Sequence, residues 1–272
     1  MTDIISTILL GIIQGITEWL PISSTAHLLL AEPHLPLSLT ANAKEFFFVG
    51  IQFFSIIAVG VLYFKELSPF TRNETRRRAT LSLWGKILIA TIPAGIMGVL
   101  FDDIIVAHLQ GPIVIAATLA FYGLLYILLE KGHARKTKVH ITDSMEDLTC
   151  KQAFLLGLFQ VLALIPGTSR SGSTVLGGLI IGLSRPLSAN FSFFMAIPVI
   201  AGATLLKMLK LGLSYTANEW MIMLIGGVVA FIISLIVMKR LRAFLKTHTF
   251  IGFGYYRIAL AVLILVVGRG FA

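Results

Sequence analysis

Apolar residues fill five long runs of the chain: Phe46 to Phe64, Leu83 to Phe101, Pro112 to Leu129, Leu187 to Leu206 and Trp220 to Met238. Each is close to the roughly 20 residues an α-helix needs to cross the hydrocarbon of a bilayer. A sixth run extends from about Ile251 to Val267. Two other stretches, Ile4 to Ala31 and Gln152 to Leu183, are equally apolar but interrupted. The interruptions are Pro21, ahead of Ser23, Ser24 and Thr25, and Pro166, ahead of Thr168 and Ser169. Proline lacks a donor and disfavours helix in the residue before it. At membrane depth such a break is tolerated only against protein or a wet cavity. Both stretches are therefore expected to be re-entrant helix–loop–helix hairpins.

Composition agrees. Of 272 residues, 57% are hydrophobic and 13% charged, and the mean hydropathy is +0.90. Soluble domains are nearer one-quarter charged, and no polar stretch is long enough to build a large one. The expectation is an all-α polytopic membrane protein. A formal net charge of +9 does not indicate nucleic acid, because the basic clusters lack interleaved aromatics. Basic residues in short loops instead set topology and meet anionic headgroups. The single Cys150 says nothing of redox compartment. Asp3 precedes the first apolar run and no Lys or Arg occurs before Lys44; without a basic leader the N-terminal stretch is expected to be retained.

Charge placement orients the spans. Lys65 to Ser82, Lys131 to Lys151 and Lys239 to Lys246 are rich in Lys and Arg, whereas Asp102 to Gly111 has two aspartates and neither. Positive-inside logic places the first three loops in the cytoplasm and the fourth outside. Tracing the chain through these anchors forces the second hairpin to return to the side it leaves. The first is assigned the same form by analogy, which puts both termini outside.

The halves also match in sequence. Leu9-Leu10-Gly11-Ile12-Ile13-Gln14 answers Leu155-Leu156-Gly157-Leu158-Phe159-Gln160, and Phe46 and Phe48 answer Phe191 and Phe193. A single membrane domain, 1–272, is expected to hold a first repeat to about residue 130, a cytoplasmic loop over about 131–151 and a second repeat over 152–272. Each repeat is one hairpin plus three transmembrane helices, and the topology inverts one against the other. In that architecture broken helices meet near the midplane to form a site.

The polar residues at the breaks carry the chemistry. Glu18 lies four residues after Gln14, so both share a helix face. A carboxylate at depth costs ~2.5–3.5 kcal/mol and normally faces a cavity; the bland alternative sets Glu18 at the headgroups with Trp19 as an interfacial anchor. Ser23 and Ser24 suit an N-cap, but His27 lies one turn from Ser24 and is placed to act as base to its hydroxyl. The second break reads PGTSRSGST, Pro166 to Thr174. Its Gly167 to Thr174 spacing approaches a P-loop, but serine replaces the lysine and the context is membrane, so a nucleotide site is not expected. Glycine, hydroxyls and backbone N–H groups before a helix still make an anion cradle. Arg170 adds a planar donor fork suited to phosphate. Together the loops suggest hydrolysis of a lipid-linked phosphate.

These motifs resemble the undecaprenyl-diphosphate phosphatase, or bacitracin resistance, family over nearly the whole chain. Its (E/Q)xxxE motif is matched by Gln14 and Glu18, and its serine-rich stretch with histidine by Ser23, Ser24, Thr25 and His27. Its PGxSRSxxT motif is matched in full by Pro166, Gly167, Ser169, Arg170, Ser171 and Thr174. The resemblance implies removal of the terminal phosphate from a C55 isoprenoid diphosphate, which recycles the lipid carrier for cell-wall synthesis. It implies a multi-pass protein of the bacterial cytoplasmic membrane with a site reached from the outer leaflet. It also implies a divalent cation, Mg²⁺ or Ca²⁺, near Gln14 and Glu18. Ser24 takes the place of the nucleophile, His27 of the base and Arg170 of the diphosphate clamp. Ser23, Thr25, Gly167, Ser169, Ser171 and Thr174 are the expected substrate contacts. Two positions depart from the pattern: Gln14 is the neutral option of its motif, and Ala26 stands where glycine is expected.

Two schemes remain open at this level. Either Ser24 attacks phosphorus while His27 takes its proton, or Glu18 or a metal-bound water acts directly and Ser24 positions. The rival class is a lipid flippase or secondary transporter with a midplane anion site. Whether the chain forms a homodimer is not readable from its sequence.

Overall fold

The computed structural model describes residues 2–109, 111–133 and 141–267. It is a helical assembly of α1 (Thr2–Thr17), α2 (Ser24–Ala31), α3 (Ala41–Leu62), α4 (Phe64–Leu67), α5 (Glu74–Leu109), α6 (Pro112–His133), α7 (Cys150–Val161), α8 (Arg170–Ile180), α9 (Arg185–Leu211), α10 (Ala217–Phe244) and α11 (Ile251–Val267). Five helices are long and apolar enough to cross a membrane: Ala41–Leu62, Glu74–Phe101, Pro112–Gly132, Arg185–Leu211 and Ala217–Phe244. They contain four of the five uninterrupted runs of the sequence and all of the fifth but Tyr63 and Phe64, where α3 gives way to α4, and the chain is a multi-pass membrane protein. The sixth run becomes α11, whose 17 residues sit at the short end of what a span requires.

Both interrupted stretches return to the end they leave. Hairpin α1–α2 closes where the Ser38 hydroxyl donates to Asp3 Oδ1 (3.2 Å). Hairpin α7–α8 closes where Thr142, ahead of α7, pairs with the backbone at Gly182 and Ser184, beyond α8. The two enter from opposite ends of the bundle. Thr40, at the N-terminus of α3, donates to Glu219 at the N-terminus of α10 (2.8 Å), which marks the end of the first hairpin. At the other end Lys86 Nζ donates to the carbonyls of Met145 (3.0 Å) and Glu146 (3.1 Å), and Arg242 lies over the Tyr63 ring. All three basic segments of the sequence thus reach one end.

The loop boundaries expected from charge need correction. Helix α5 begins at Glu74 and takes in Arg76, Arg77 and Arg78, and it continues to Leu109, so most of 102–111 is helix rather than loop. Helix α10 likewise carries Lys239, Arg240 and Arg242 in its last turns. The hydrocarbon edge does not end a helix, because long basic side chains reach the interface from helical backbone. Arg135, Lys136 and Lys138 of the expected 131–151 loop lie outside the described residues.

Small residues let each hairpin's first helix press against a long one. A Cβ at Gly11 or Gly15 would come within 2.7 Å of the Gly226 or Ala230 carbonyl of α10, and one at Gly157 within 2.5 Å of the Ala90 carbonyl of α5. Such close backbone approach drives association where lipid supplies no hydrophobic contrast. The tips then meet over an aromatic core. Trp19 is 1% exposed and makes an edge contact with Phe193, centroids 5.3 Å apart. That burial overturns the reading of Trp19 as an interfacial anchor.

Candidate active site

The first tip begins where α1 ends. Glu18 N–H still donates to the Gln14 carbonyl (3.0 Å), so the shared face persists for one residue past the helix, and the Gln14 amide donates to Glu18 Oε2 (3.0 Å). The chain turns through Pro21 and restarts at Ser23, whose φ is +73° and whose hydroxyl caps Ala26 N–H. The second tip repeats this construction. Ser169 has φ +70° and its hydroxyl caps Gly172 N–H. A non-glycine residue with positive φ is uncommon and costs of order 1–3 kcal/mol, so its surroundings must over-determine it. Gly167, at φ +86°, is required for a second reason: a Cβ there would lie 2.2 Å from Thr118 Oγ1.

Arg257 of α11 supplies part of that over-determination. It is completely buried. Its guanidinium donates to the Pro21 carbonyl (3.0 Å) in one tip and to the Gly167 (3.0 Å) and Thr168 (2.9 Å) carbonyls in the other. Ser171 joins the tips directly, its hydroxyl reaching the carbonyls of Glu18 (3.2 Å) and Leu20 (3.1 Å).

Between the tips lies a cavity of about 210 Å³ lined by Glu18, Ser23, Ser24, Thr25, Gly167, Ser169 and Arg170. Ala94, Val199, Ile200 and Ala203 form its apolar wall. Ser24 Oγ donates to Glu18 Oε2 (3.1 Å). Arg170 donates to Glu18 Oε1 (3.2 Å), and its other terminal nitrogen is tethered to the Ser192 carbonyl (2.7 Å). The ion pair is largely withdrawn from solvent, with side-chain exposures of 11% and 7%. One carboxylate thus touches a hydroxyl and a guanidinium at the same time.

Four expected site residues do not line this cavity: Gln14, which bonds to Glu18, and Ser171, Thr174 and His27. Ser171 bonds the tips together, and Thr174 bonds to the Arg170 carbonyl (2.8 Å) and the Ser192 hydroxyl (2.7 Å); both are buried and act as struts. His27 faces α11. Its Nδ1 lies 2.7 Å from the Ser23 carbonyl, which only accepts, so this nitrogen carries a proton. Its Nε2 lies 2.7 Å from the Tyr256 hydroxyl, and the two rings stack. The proton of Ser24 is therefore directed at Glu18, six residues upstream, not at His27.

Gln160 was not among the expected contacts. It lines the cavity at 1% exposure, and neither atom of its amide has a hydrogen-bond partner. The Gln14–Gln160 sequence match was the signal that pointed to it. A buried amide left unpaired is costly, which suits a group that waits for ligand oxygens.

The hairpin cluster also bears on a divalent cation. A carboxylate only accepts, so the Gln14 amide nitrogen faces Glu18 and its Oε1 is left buried without a partner. Among the described residues no group of three His, Cys, Asp or Glu gathers. Glu18 and, once its amide turns, the Oε1 of Gln14 are the side chains that could hold a hard cation of the Mg²⁺ or Ca²⁺ kind, which would take most of its ligands from substrate phosphate and water.

Broken helices that meet at an acid, a hydroxyl and a buried arginine define a polytopic membrane protein with a charged internal cavity. Comparison with known proteins makes the assignment specific. The model of the family described as bacitracin resistance protein BacA matches residues 7–263, and the chain belongs to that family. A relative from Enterococcus faecalis named undecaprenyl-diphosphatase is 45% identical over 269 residues, covering 97% of each chain. One of the same name from Acetivibrio thermocellus is 46% identical over 268 residues, covering 98% of each. A third, from Clostridioides difficile, is named undecaprenyl-diphosphatase 1 and is 45% identical over 267 residues, covering 97% of this chain and 96% of its own.

Proposed function

We propose that the chain hydrolyses undecaprenyl diphosphate to undecaprenyl phosphate and inorganic phosphate. Family membership and relatives of near-equal length support the substrate. The observation that carries the mechanism is the Ser24–Glu18–Arg170 contact across one small cavity.

Glu18 sits within general-base distance of the Ser24 hydroxyl. Ser24 Oγ attacks the terminal phosphorus as Glu18 takes its proton. The bond from phosphorus to the bridging oxygen breaks, and the lipid monophosphate leaves with that oxygen. Water then cleaves the phosphoserine, releasing phosphate and restoring Ser24. Arg170 exchanges its contact with Glu18 for the phosphoryl oxygens, where transition-state charge collects. Ser23, Thr25, Ser169 and Gln160 offer further polar contacts, and the apolar wall accommodates the first isoprenoid carbons. A divalent cation bound at Gln14 and Glu18 would neutralise phosphate charge.

The two halves belong to this reading as inverted repeats. Matching serine caps, opposite entry of the hairpins and the pairing of α1 with α10 and α7 with α5 support the relation. With the basic end in the cytoplasm, the protein sits in the bacterial cytoplasmic membrane and takes substrate from the outer leaflet.

The test is phosphate release from farnesyl or undecaprenyl diphosphate by protein purified in detergent, with and without chelator. A phosphoserine trapped at Ser24 is the expected intermediate. Substrate binding without release would indicate a carrier instead, and substantial turnover by Ser24→Ala would remove the covalent step.

A further inference from the structure

The basic end holds a second cavity, of about 740 Å³, which shares no lining residue with the one between the hairpin tips. Lys65, Arg76, Lys86 and Arg242 converge on it, with the carboxylates of Glu66 and Glu146 also in its wall. Among the described residues none of the four cations forms a salt bridge. Lys86 is the most telling. It is 8% exposed, and its ammonium meets only the Met145 and Glu146 carbonyls, which leaves one N–H for another partner. A withdrawn charge without a counter-ion is costly, and here it faces a cavity. Asn190 adds a neutral donor: its Oδ1 accepts from the Tyr63 hydroxyl (2.8 Å), so its amide nitrogen stays available.

The cavity adjoins an apolar groove. Tyr63 and Phe194 line the cavity; Phe64 and Ile197, the next residue on one side and one turn away on the other, line a groove of about 610 Å³ between α3 and α9. Gly60 lies on the groove, and nothing stands within 4 Å of where its Cβ would be. A net positive pocket beside an apolar furrow matches an amphiphile that carries phosphate. We propose that this end binds an anionic lipid, its phosphate among Lys65, Arg76, Lys86 and Arg242 and one acyl chain along the α3–α9 groove.

The experiment uses the full chain carrying Arg170→Ala, so that the hairpin cavity contributes no phosphate binding, in nanodiscs of neutral lipid. The probes are a short-chain phosphatidic acid and inorganic phosphate. Phosphatidic acid is expected to bind, and inorganic phosphate at equal concentration is expected not to displace it. Neutralising Lys86 or Arg242 to Gln should weaken binding about fivefold each. Gly60→Phe should weaken the lipid by blocking the groove. Lys65→Gln and Arg76→Gln, at the exposed mouth, decide the matter if Lys86→Gln does not fold. In the unmodified background Lys65→Gln and Gly60→Phe should leave farnesyl diphosphate hydrolysis in detergent unchanged. Unaltered lipid affinity across the charge variants overturns the proposal. So does displacement by inorganic phosphate together with a silent Gly60→Phe, which would mark a site for free phosphate.

Discussion

The two hairpin tips share a backbone and divide the chemistry. Each restarts its helix from a serine at φ near +70°, and each serine caps the amide three residues on. The difference lies in the residue after the cap, Ser24 in one tip and Arg170 in the other. The first tip also brings Glu18, which has no acidic counterpart in the second: the residue four past Gln160 is Leu164. One tip thus holds the acid and the hydroxyl, and the other supplies the cation that meets the acid. A common scaffold becomes a site when equivalent positions carry unlike residues that face each other across the join.

Losing either unlike residue should have the largest effect. Ser24→Ala and Arg170→Ala are each expected to lower kcat/KM at least ~10³-fold in the phosphate-release assay. They should differ in kind: Arg170→Ala leaves Glu18 without its partner and weakens substrate binding, whereas Ser24→Ala keeps the ion pair and retains affinity for a non-hydrolysable diphosphate. If both lose affinity equally, the division of labour between the tips is wrong. Glu18→Gln comes next. It is nearly isosteric and still accepts from Arg170, but it cannot take the Ser24 proton, so a fall in kcat of about 10²–10⁴ is expected with little change in KM. A KM effect alone would assign Glu18 to binding.

Much of this division could be read from the sequence. The spans followed from run length, the breaks from Pro21 and Pro166, and the polar tips from the cost of placing Glu18 and Arg170 in apolar surroundings. Arg257 carried the same signal, a lone charge in the sixth apolar run, but no motif called attention to it. The partner of Ser24 was not legible. Spacing along a helix favours His27, one turn away, but the chain reverses between Glu18 and Ser24 and brings the upstream carboxylate to the hydroxyl. Nor could positive φ at Ser23 and Ser169 be foreseen, since that conformation usually signals glycine. It depends on contacts from α11 that are more than 80 residues distant in sequence.

The shared scaffold has its own test, of smaller size. Ser23→Ala and Ser169→Ala each lose a cap and keep a side chain at positive φ, so each should cost about 1 kcal/mol or slightly more in detergent unfolding. Ser→Gly at either position loses the same cap but relieves the backbone, and should cost only a few tenths. Equal responses at 23 and 169 would sharpen the equivalence of the tips. A large loss at one alone would show that the serines share a conformation without sharing a role.

The smallest effect is expected at Tyr256, and it separates the two assignments for the Ser24 proton. The Tyr256 hydroxyl holds His27 Nε2, while Nδ1 holds the Ser23 carbonyl. His27 therefore anchors the restart of α2 to α11 and stands apart from the reacting hydroxyl. Tyr256→Phe removes one hydrogen bond but keeps the ring that stacks on the imidazole. Turnover should change by less than about tenfold, below the usual contribution of a general acid or base. The pH profile of kcat should keep the wild-type shape, because the carboxylate that accepts the proton is untouched. A drop comparable to that of Ser24→Ala, with a displaced acid limb, would return the proton to the His27–Tyr256 pair and leave Glu18 as the partner of Arg170 alone.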